Sequence, residues 1–325
     1  MKTSALSVAL ALAVTVAALP AVAQTKWDLP TAYGANTFQT ENVQQFADDV
    51  AKATAGKLKI TVHANATLFK APEIKGAVQA GKAPIGEFIL SGASSENPLF
   101  GIDSIPFLAS SYGAAKKLYT AARPATEKLL AEQGLKLLFS VPWPGQSLYS
   151  IKPLKTMDDL KGTKMRAYNP ATTRIAELVH AQPVTIQLAD LGKALTAGTV
   201  DNFLTSSASG VDSKLYEQVK YFYIVNAWLP RNATVVNKKA FEALDKATQD
   251  AILTAASAAE ERGWANSRTH DVANVKLMSK NGMTTGLPPE AINAGLNKIG
   301  ETMTEEWLKS AGPEGRAIVE AYRKL

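Results

Sequence analysis

Apolar residues recur along this chain with two alternating periods, near two and near 3.6 residues, the signatures of strands and of one-sided helices. Lys26–Thr31 reads as a strand, Gln39–Thr54 as an amphipathic helix, and Lys57–His63, after Gly56, as a second strand. A helix over Pro72–Ala80 stops at Gly81, and an apolar strand follows at Ala83–Leu90. The loop Ser91–Ser104 leads into Ile105-Pro106-Phe107-Leu108; then come a helix at Tyr112–Glu132 and a buried strand at Leu135–Val141. Strand–helix alternation at this spacing implies parallel α/β units.

Trp143-Pro144-Gly145-Gln146 breaks the pattern, as a hinge would. Ser150–Met157 restarts the chain, with Thr156 and Asp159 spaced as a capping box, and a second α/β lobe runs on to Pro230. From Lys238 to about Lys280 the chain reads as nearly continuous Ala-rich helix, weakened only by Gly263. A helix of that length outruns one small lobe and is expected to brace two. The expected layout is 24–143 with 231–270 as one lobe and 144–230 with 271–325 as the other. A cleft between two such α/β lobes is a preferred place for a small molecule.

Residues 1–23 stand apart. Lys2, the apolar run Ala5–Leu19 and Ala21-Val22-Ala23 have the order of a cleavable secretory signal peptide. No other apolar run approaches the length that spans a bilayer. The absence of cysteine excludes a disulfide framework, a lipoprotein anchor and thiolate metal sites. The formal charge of +6, or +5 without Lys2, is spread among acidic residues. No basic stripe with interleaved aromatics marks a nucleic-acid binder.

Enzyme signatures are equally missing. His63, His180 and His270 lie far apart, and there is no HExxH, GxSxG or Walker loop. The carboxylate pairs Asp48/Asp49, Asp158/Asp159 and Glu260/Glu261 fall on polar helical or pre-helical faces. No cofactor or metal is implied.

The candidate chemistry lies around Arg166, near the end of the strand-like run Thr163–Ala167. Asn169-Pro170 then reads as an N-cap and first helical residue, opening a helix over Pro170–His180. This puts a guanidinium beside a helix N-terminus, a setting that favours a carboxylate. On the residues alone, Arg166 serves equally as a ligand anchor or as half of a structural ion pair. Five aromatics, Tyr33, Trp143, Tyr168, Phe203 and Trp228, are expected to face the cleft and to suit a ligand with an apolar or ring-like body. Tyr33 and Asn36 follow the first strand, and Ser91 follows the third, at the carboxyl ends where α/β folds bind ligands. Asn169 is read first as a cap, and Arg231 is as well placed for the surface as for the ligand.

One order of short motifs is specific. It runs Asp159-Leu160-Lys161-Gly162, Lys164-Met165-Arg166, Pro183, Ala194-Leu195, Gly198 and Val200-Asp201. Glu73 to Gly81, Ile105-Pro106-Phe107-Leu108, Gly134 and Asn281-Gly282 support it. In this pattern the chain resembles the substrate-binding proteins of tripartite ATP-independent periplasmic (TRAP) transporters, a family that includes C4-dicarboxylate- and sialic-acid-binding proteins. The resemblance implies a two-lobe, Venus-flytrap α/β receptor, monomeric and periplasmic. Such a receptor closes on an organic acid and presents it to a small and a large membrane subunit. It also implies that Arg166 pairs with the ligand carboxylate, by two parallel N–H bonds.

Departures from the family pattern narrow the ligand. Gln146 stands where many relatives carry a second polar anchor, often arginine, and Thr205 where they often place a ligand-contacting asparagine. Both changes weaken the case for a dicarboxylate, whose far carboxylate would be desolvated without a full counter-charge. A monocarboxylate with an aromatic, apolar or hydroxylated body is expected. The rival readings are a receptor that feeds a sensor kinase and a periplasmic hydrolase or lyase.

Overall fold

The computed structural model describes residues 24–325, so the expected signal peptide at 1–23 lies outside the described residues. The first lobe is built from β1 (Thr25–Pro30), α1 (Phe38–Ala53), β2 (Leu58–His63), α2 (Ile74–Gln79), β3 (Ile85–Ile89), α3 (Tyr112–Glu132) and β4 (Leu135–Pro142). The second takes β5 (Ser147–Ser150), β6 (Lys164–Ala167), α4 (Pro170–Leu178), β7 (Gln182–Thr185), α5 (Leu188–Thr196), β8 (Asn202–Thr205), α6 (Ser207–Asp212) and β9 (Tyr221–Tyr223). The chain returns through β10 (Arg231–Asn237) and α7 (Lys238–Glu242), and then runs through α8 (Lys246–Lys280), β11 (Thr284–Gly286) and α9 (Glu290–Lys324).

The sheets are mixed rather than purely parallel. One is a parallel β1–β2 pair; the second has the order β3-β10-β4; the third is β11-β9-β5-β8-β6-β7. Parallel pairing holds within the units β1–β2, β6–β7 and β6–β8. The crossing strands break it: β10 is antiparallel to β3 and β4, and β5 to β8 and β9. A chain that leaves a lobe along β4 and re-enters beside it along β10 must run the opposite way. At the crossing, Trp143 N–H donates to Pro230 O at 2.8 Å and Gln146 N–H to Trp228 O at 2.8 Å. Gly145 is required there, since any Cβ would overlap the Asn226 side chain.

The tail departs from the sequence reading at one point. The helix expected from Lys238 onward is interrupted after Glu242, and Asp245 caps a fresh start by accepting from Thr248 N at 2.9 Å. An Asx cap competes with helix continuation, which is why the break falls here. From Lys246 the long helix does span both lobes. Ile252, Ala255, Ala256 and Ala259 pack with Val43, Phe46 and Val141 of the first lobe. Met278 packs with Tyr149, Phe203 and Phe222 of the second. Gly263 lets the helix lie directly on Val141, a contact that a Cβ would block.

Helix α9 is a second brace. Its early residues Ile292, Leu296 and Met303 join Met165 and Ile175, whereas Trp307, Ile318 and Val319 join Leu99, Ile102 and Leu118. Within the second set, between Trp307 and Ile318, the helix kinks at Gly312, where φ is 63°, just before Pro313. Each fully buried aliphatic or aromatic side chain in these seams contributes ~1.5–3 kcal/mol of hydrophobic stabilisation. The two braces therefore fix how the lobes face one another across the cleft.

Candidate ligand-binding site

A cleft of about 600 Å³ opens between the lobes. Tyr33, Ile89 and Trp143 line it from the first-lobe side, and Gln146, Arg166, Tyr168 and Thr205 from the second. Lys70, Asp190 and Lys193 stand exposed at its rim.

Arg166 is the chemical centre. Its neighbour Met165 faces the second-lobe core, and the alternation of β6 turns Arg166 the other way, in register with Val184 and Phe203. The residue is 3% exposed. Its Nε donates to Ile186 O at 2.8 Å, its guanidinium lies 4.9 Å from the Tyr168 ring centroid, and Nη1 is buried with no partner. No carboxylate among the described residues comes within ion-pair distance of it. Burial pulls its pKa down to about 10, which leaves it protonated at neutral pH. Among the described residues, then, Arg166 is not half of an ion pair: none of them supplies a counter-ion.

The helix that follows is firmly capped. Asn169 Oδ1 accepts from Thr172 N at 2.8 Å, and Thr172 Oγ1 accepts from Tyr168 N at 2.9 Å and Asn169 N at 3.1 Å. Asn169 also reaches across the lobes, its Nδ2 donating to Ser91 Oγ at 2.8 Å, with both residues buried. Ser91 therefore sits in an interlobe hydrogen bond and does not line the cleft.

Of the residues singled out in the sequence, six line the cleft; Ser91 and four more do not. Tyr33, Trp143, Gln146, Arg166, Tyr168 and Thr205 converge on it. Gln146 donates to Pro144 O at 3.0 Å and accepts from Tyr168 OH at 3.4 Å, while the Thr205 hydroxyl has no hydrogen bond among the described residues. Phe203 is fully buried, stacked 5.0 Å from Tyr149 in the second-lobe core. Trp228 is also fully buried, in the cluster under β6 and beside the Tyr168 hydroxyl. Asn36 is exposed outside the cleft. Arg231 is neither on the surface nor in the cleft: it is 2% exposed and paired with Asp103 at 3.2 Å.

Sequence reasoning passed over several lining residues, among them Gln187, Leu188 and Ser209. Gln187 and the Ile186 carbonyl follow β7, so the rule that ligands bind at strand carboxyl ends could have found them. It also passed over Asn232, an amide inside the apolar strand β10, and a buried polar side chain in such a strand is itself a signal.

Residues 30–310 match the DctP family model, described as bacterial extracellular solute-binding protein, family 7. The chain belongs to that family. The receptor is similar in structure to DctP6 of Bordetella pertussis, an extracytoplasmic solute receptor binding pyroglutamic acid. The two share 50% identity and a TM-score of 0.91 over 93% of this chain and 100% of that one. It is similar also to DctP7 of the same organism, which binds pyroglutamic acid too, at 41% identity and TM-score 0.91 over 92% and 99% of the two chains. A TRAP solute-binding protein from a marine metagenome, specific for pyroglutamate, matches at 40% identity and TM-score 0.91 over 93% and 99%. The receptor is thus a TRAP-type solute receptor, with the two-lobe α/β fold expected from the sequence.

Proposed function

We propose that the receptor captures pyroglutamate, a five-membered lactam bearing one carboxylate, and delivers it to the membrane subunits of a TRAP transporter. The observation that carries this reading is Arg166: a buried, protonated guanidinium with no internal counter-ion, facing a cleft walled by aromatic rings. The ligand carboxylate supplies the missing charge through a charge-assisted, bidentate pair. The lactam ring lies against Tyr33 and Trp143, and its amide meets neutral partners such as the Thr205 hydroxyl. Three relatives at 40–50% identity bind the same molecule, which supports the reading.

The cleft offers one buried cation, while Lys70 and Lys193 are exposed at its rim. A dicarboxylate would leave its second carboxylate without a desolvated partner, so monocarboxylates are preferred. Export through the signal segment at 1–23, action in the periplasm as a monomer and release of the ligand unchanged complete the proposal. The test is calorimetric titration of the mature protein with pyroglutamate, succinate and gulonate, followed by recovery of the ligand. Saturable binding that is tightest for pyroglutamate, with the ligand recovered intact, is expected. Tightest binding of succinate, or turnover of the ligand, would overturn it.

A further inference from the structure

The wall opposite Arg166 has its own wiring. Tyr33 OH donates to Asn232 Oδ1 at 3.1 Å, and Trp143 Nε1 donates to the same oxygen at 2.9 Å, all within buried surroundings. The two rings meet edge-on with centroids 4.9 Å apart, and Trp143 meets Phe38 in the same way at 5.4 Å. Both aromatics line the cleft, yet the polar atom of each is turned into the wall behind it.

Asn232 is held from its own side. It lies in the central strand of its sheet, opposite Ile89 on β3 and Val141 on β4, and its backbone carbonyl accepts from Ser140 Oγ at 2.7 Å. Glu87, diagonal to it on β3, accepts from Thr31 Oγ1 at 2.6 Å. The Asn232 amide nitrogen lies beside that carboxyl without meeting hydrogen-bond geometry. A carboxyl next to the NH₂ end of the amide orients the oxygen end toward Tyr33 and Trp143.

We propose that Asn232 is a positioning residue for specificity: one amide oxygen ties off two aromatic donors, so their wall presents ring surface alone to the ligand. Such a wall accepts a flat, poorly hydroxylated body and leaves the hydroxyls of a polyhydroxy acid desolvated without partners. This rests on reading the cleft as a carboxylate site, but not on which carboxylate fills it. Freeing the two donors lets hydroxylated chains find partners and loosens the ring-shaped slot. The ratio of affinities, pyroglutamate over gulonate, then falls by at least about tenfold, the scale on which one pocket contact discriminates.

The test compares wild type, Asn232→Leu and the exchanged pair Glu87→Gln with Asn232→Asp, which keeps an acceptor at position 232 and the same formal charge. Each is titrated with pyroglutamate and gulonate at pH 7.5, and the indole ¹⁵N–¹H resonance of Trp143, assigned by Trp143→Phe, is followed. In Asn232→Leu the resonance moves and the affinity ratio collapses; in the exchanged pair the ratio stays within about threefold of wild type. A folded leucine variant with an unchanged ratio, or a folded exchanged pair that loses selectivity as the leucine variant does, would overturn the assignment. So would a wild-type Trp143 indole proton that exchanges at the solvent rate, whatever the variants do. If wild type ignores pyroglutamate and binds another monocarboxylate, the pyroglutamate reading fails. Asn232 is then judged on that acid's ratio to gulonate.

Discussion

Two arginines in this receptor occupy nearly the same physical situation and differ in one respect. Arg166 is 3% exposed and Arg231 is 2% exposed. Each guanidinium lies against a tyrosine ring, Tyr168 at 4.9 Å and Tyr119 at 4.4 Å. Asp103 pairs with Arg231 Nε at 3.2 Å and also accepts from its backbone N–H at 3.0 Å, so that charge is compensated inside the fold. Arg166 has one neutral carbonyl for company. Burial alone therefore does not distinguish a structural cation from a binding one. What distinguishes them is whether the chain has furnished the anion.

The sharpest way to break this comparison is to remove each arginine in turn. Arg231→Ala strands Asp103 in the core, where burial already pushes its carboxyl above the ordinary range, and is expected to cost ~3–5 kcal/mol in denaturant unfolding. Ligand affinity of the fraction that folds should be unchanged. Arg166→Leu does the reverse. It removes an uncompensated buried charge, so the melting temperature of the ligand-free protein holds or rises. Binding of pyroglutamate should weaken at least ~100-fold, the scale of a buried charge-assisted pair, and the thermal shift it induces should vanish. A folded Arg166→Leu variant with wild-type affinity would show that the two arginines play the same structural role.

A smaller effect sharpens the same contrast, since the residues flanking Arg166 also tie the lobes together. Ser91→Ala deletes the hydroxyl that accepts from Asn169 across the cleft while leaving the Asn169 cap on Thr172 intact. The closed arrangement then loses one buried hydrogen bond, about 1 kcal/mol, and pyroglutamate affinity should fall by about fivefold through faster release. Stopped-flow dissociation reads this directly. An unchanged off-rate would mean that the bond does not contribute to holding the lobes shut.

How much of this was legible in the chain follows from the range of each interaction. The cap at Asn169-Pro170 and the strand before it are local, so the setting of Arg166 could be read from neighbours in sequence. The partner of Arg231 could not, because Asp103 lies 128 residues away and only the return of β10 beside the first lobe brings them together. Phe203 and Thr205 sit two apart on one strand and share a face, yet only Thr205 reaches the cleft, because the strand ends there while Phe203 is still under Tyr149. Periodicity gives the face; position along the strand decides between core and cleft. The break at Ala243–Asp245 and the kink at Gly312 interrupt helices at residues whose local chemistry announces them. That α9 braces both lobes depends on tertiary packing of Trp307 and Ile318, which no local pattern shows.

The comparison extends last to an anion left as uncompensated as Arg166. Asp212, at the end of α6, has a buried Oδ2 with no partner. Burial, and then the negative charge of Glu41, push its carboxyl up to about 7. The sign of the pH effect follows. A carboxyl that holds its proton up to about 7 when folded, but only to ~3.9 when unfolded, makes the folded state bind more protons across that window. Its contribution is therefore most favourable at low pH, declines as pH rises from 4 to 7 and stays unfavourable above that. Glu87, raised to about 6 chiefly by burial, acts in the same direction. Asp212→Asn removes the ionisation and should raise the melting temperature by about 3 °C at pH 8, with the gain closing toward pH 4. Thermal melts of both proteins across pH 4–8 decide the matter: parallel curves would mean that Asp212 is solvated in the folded state and carries no penalty, unlike the cation at position 166.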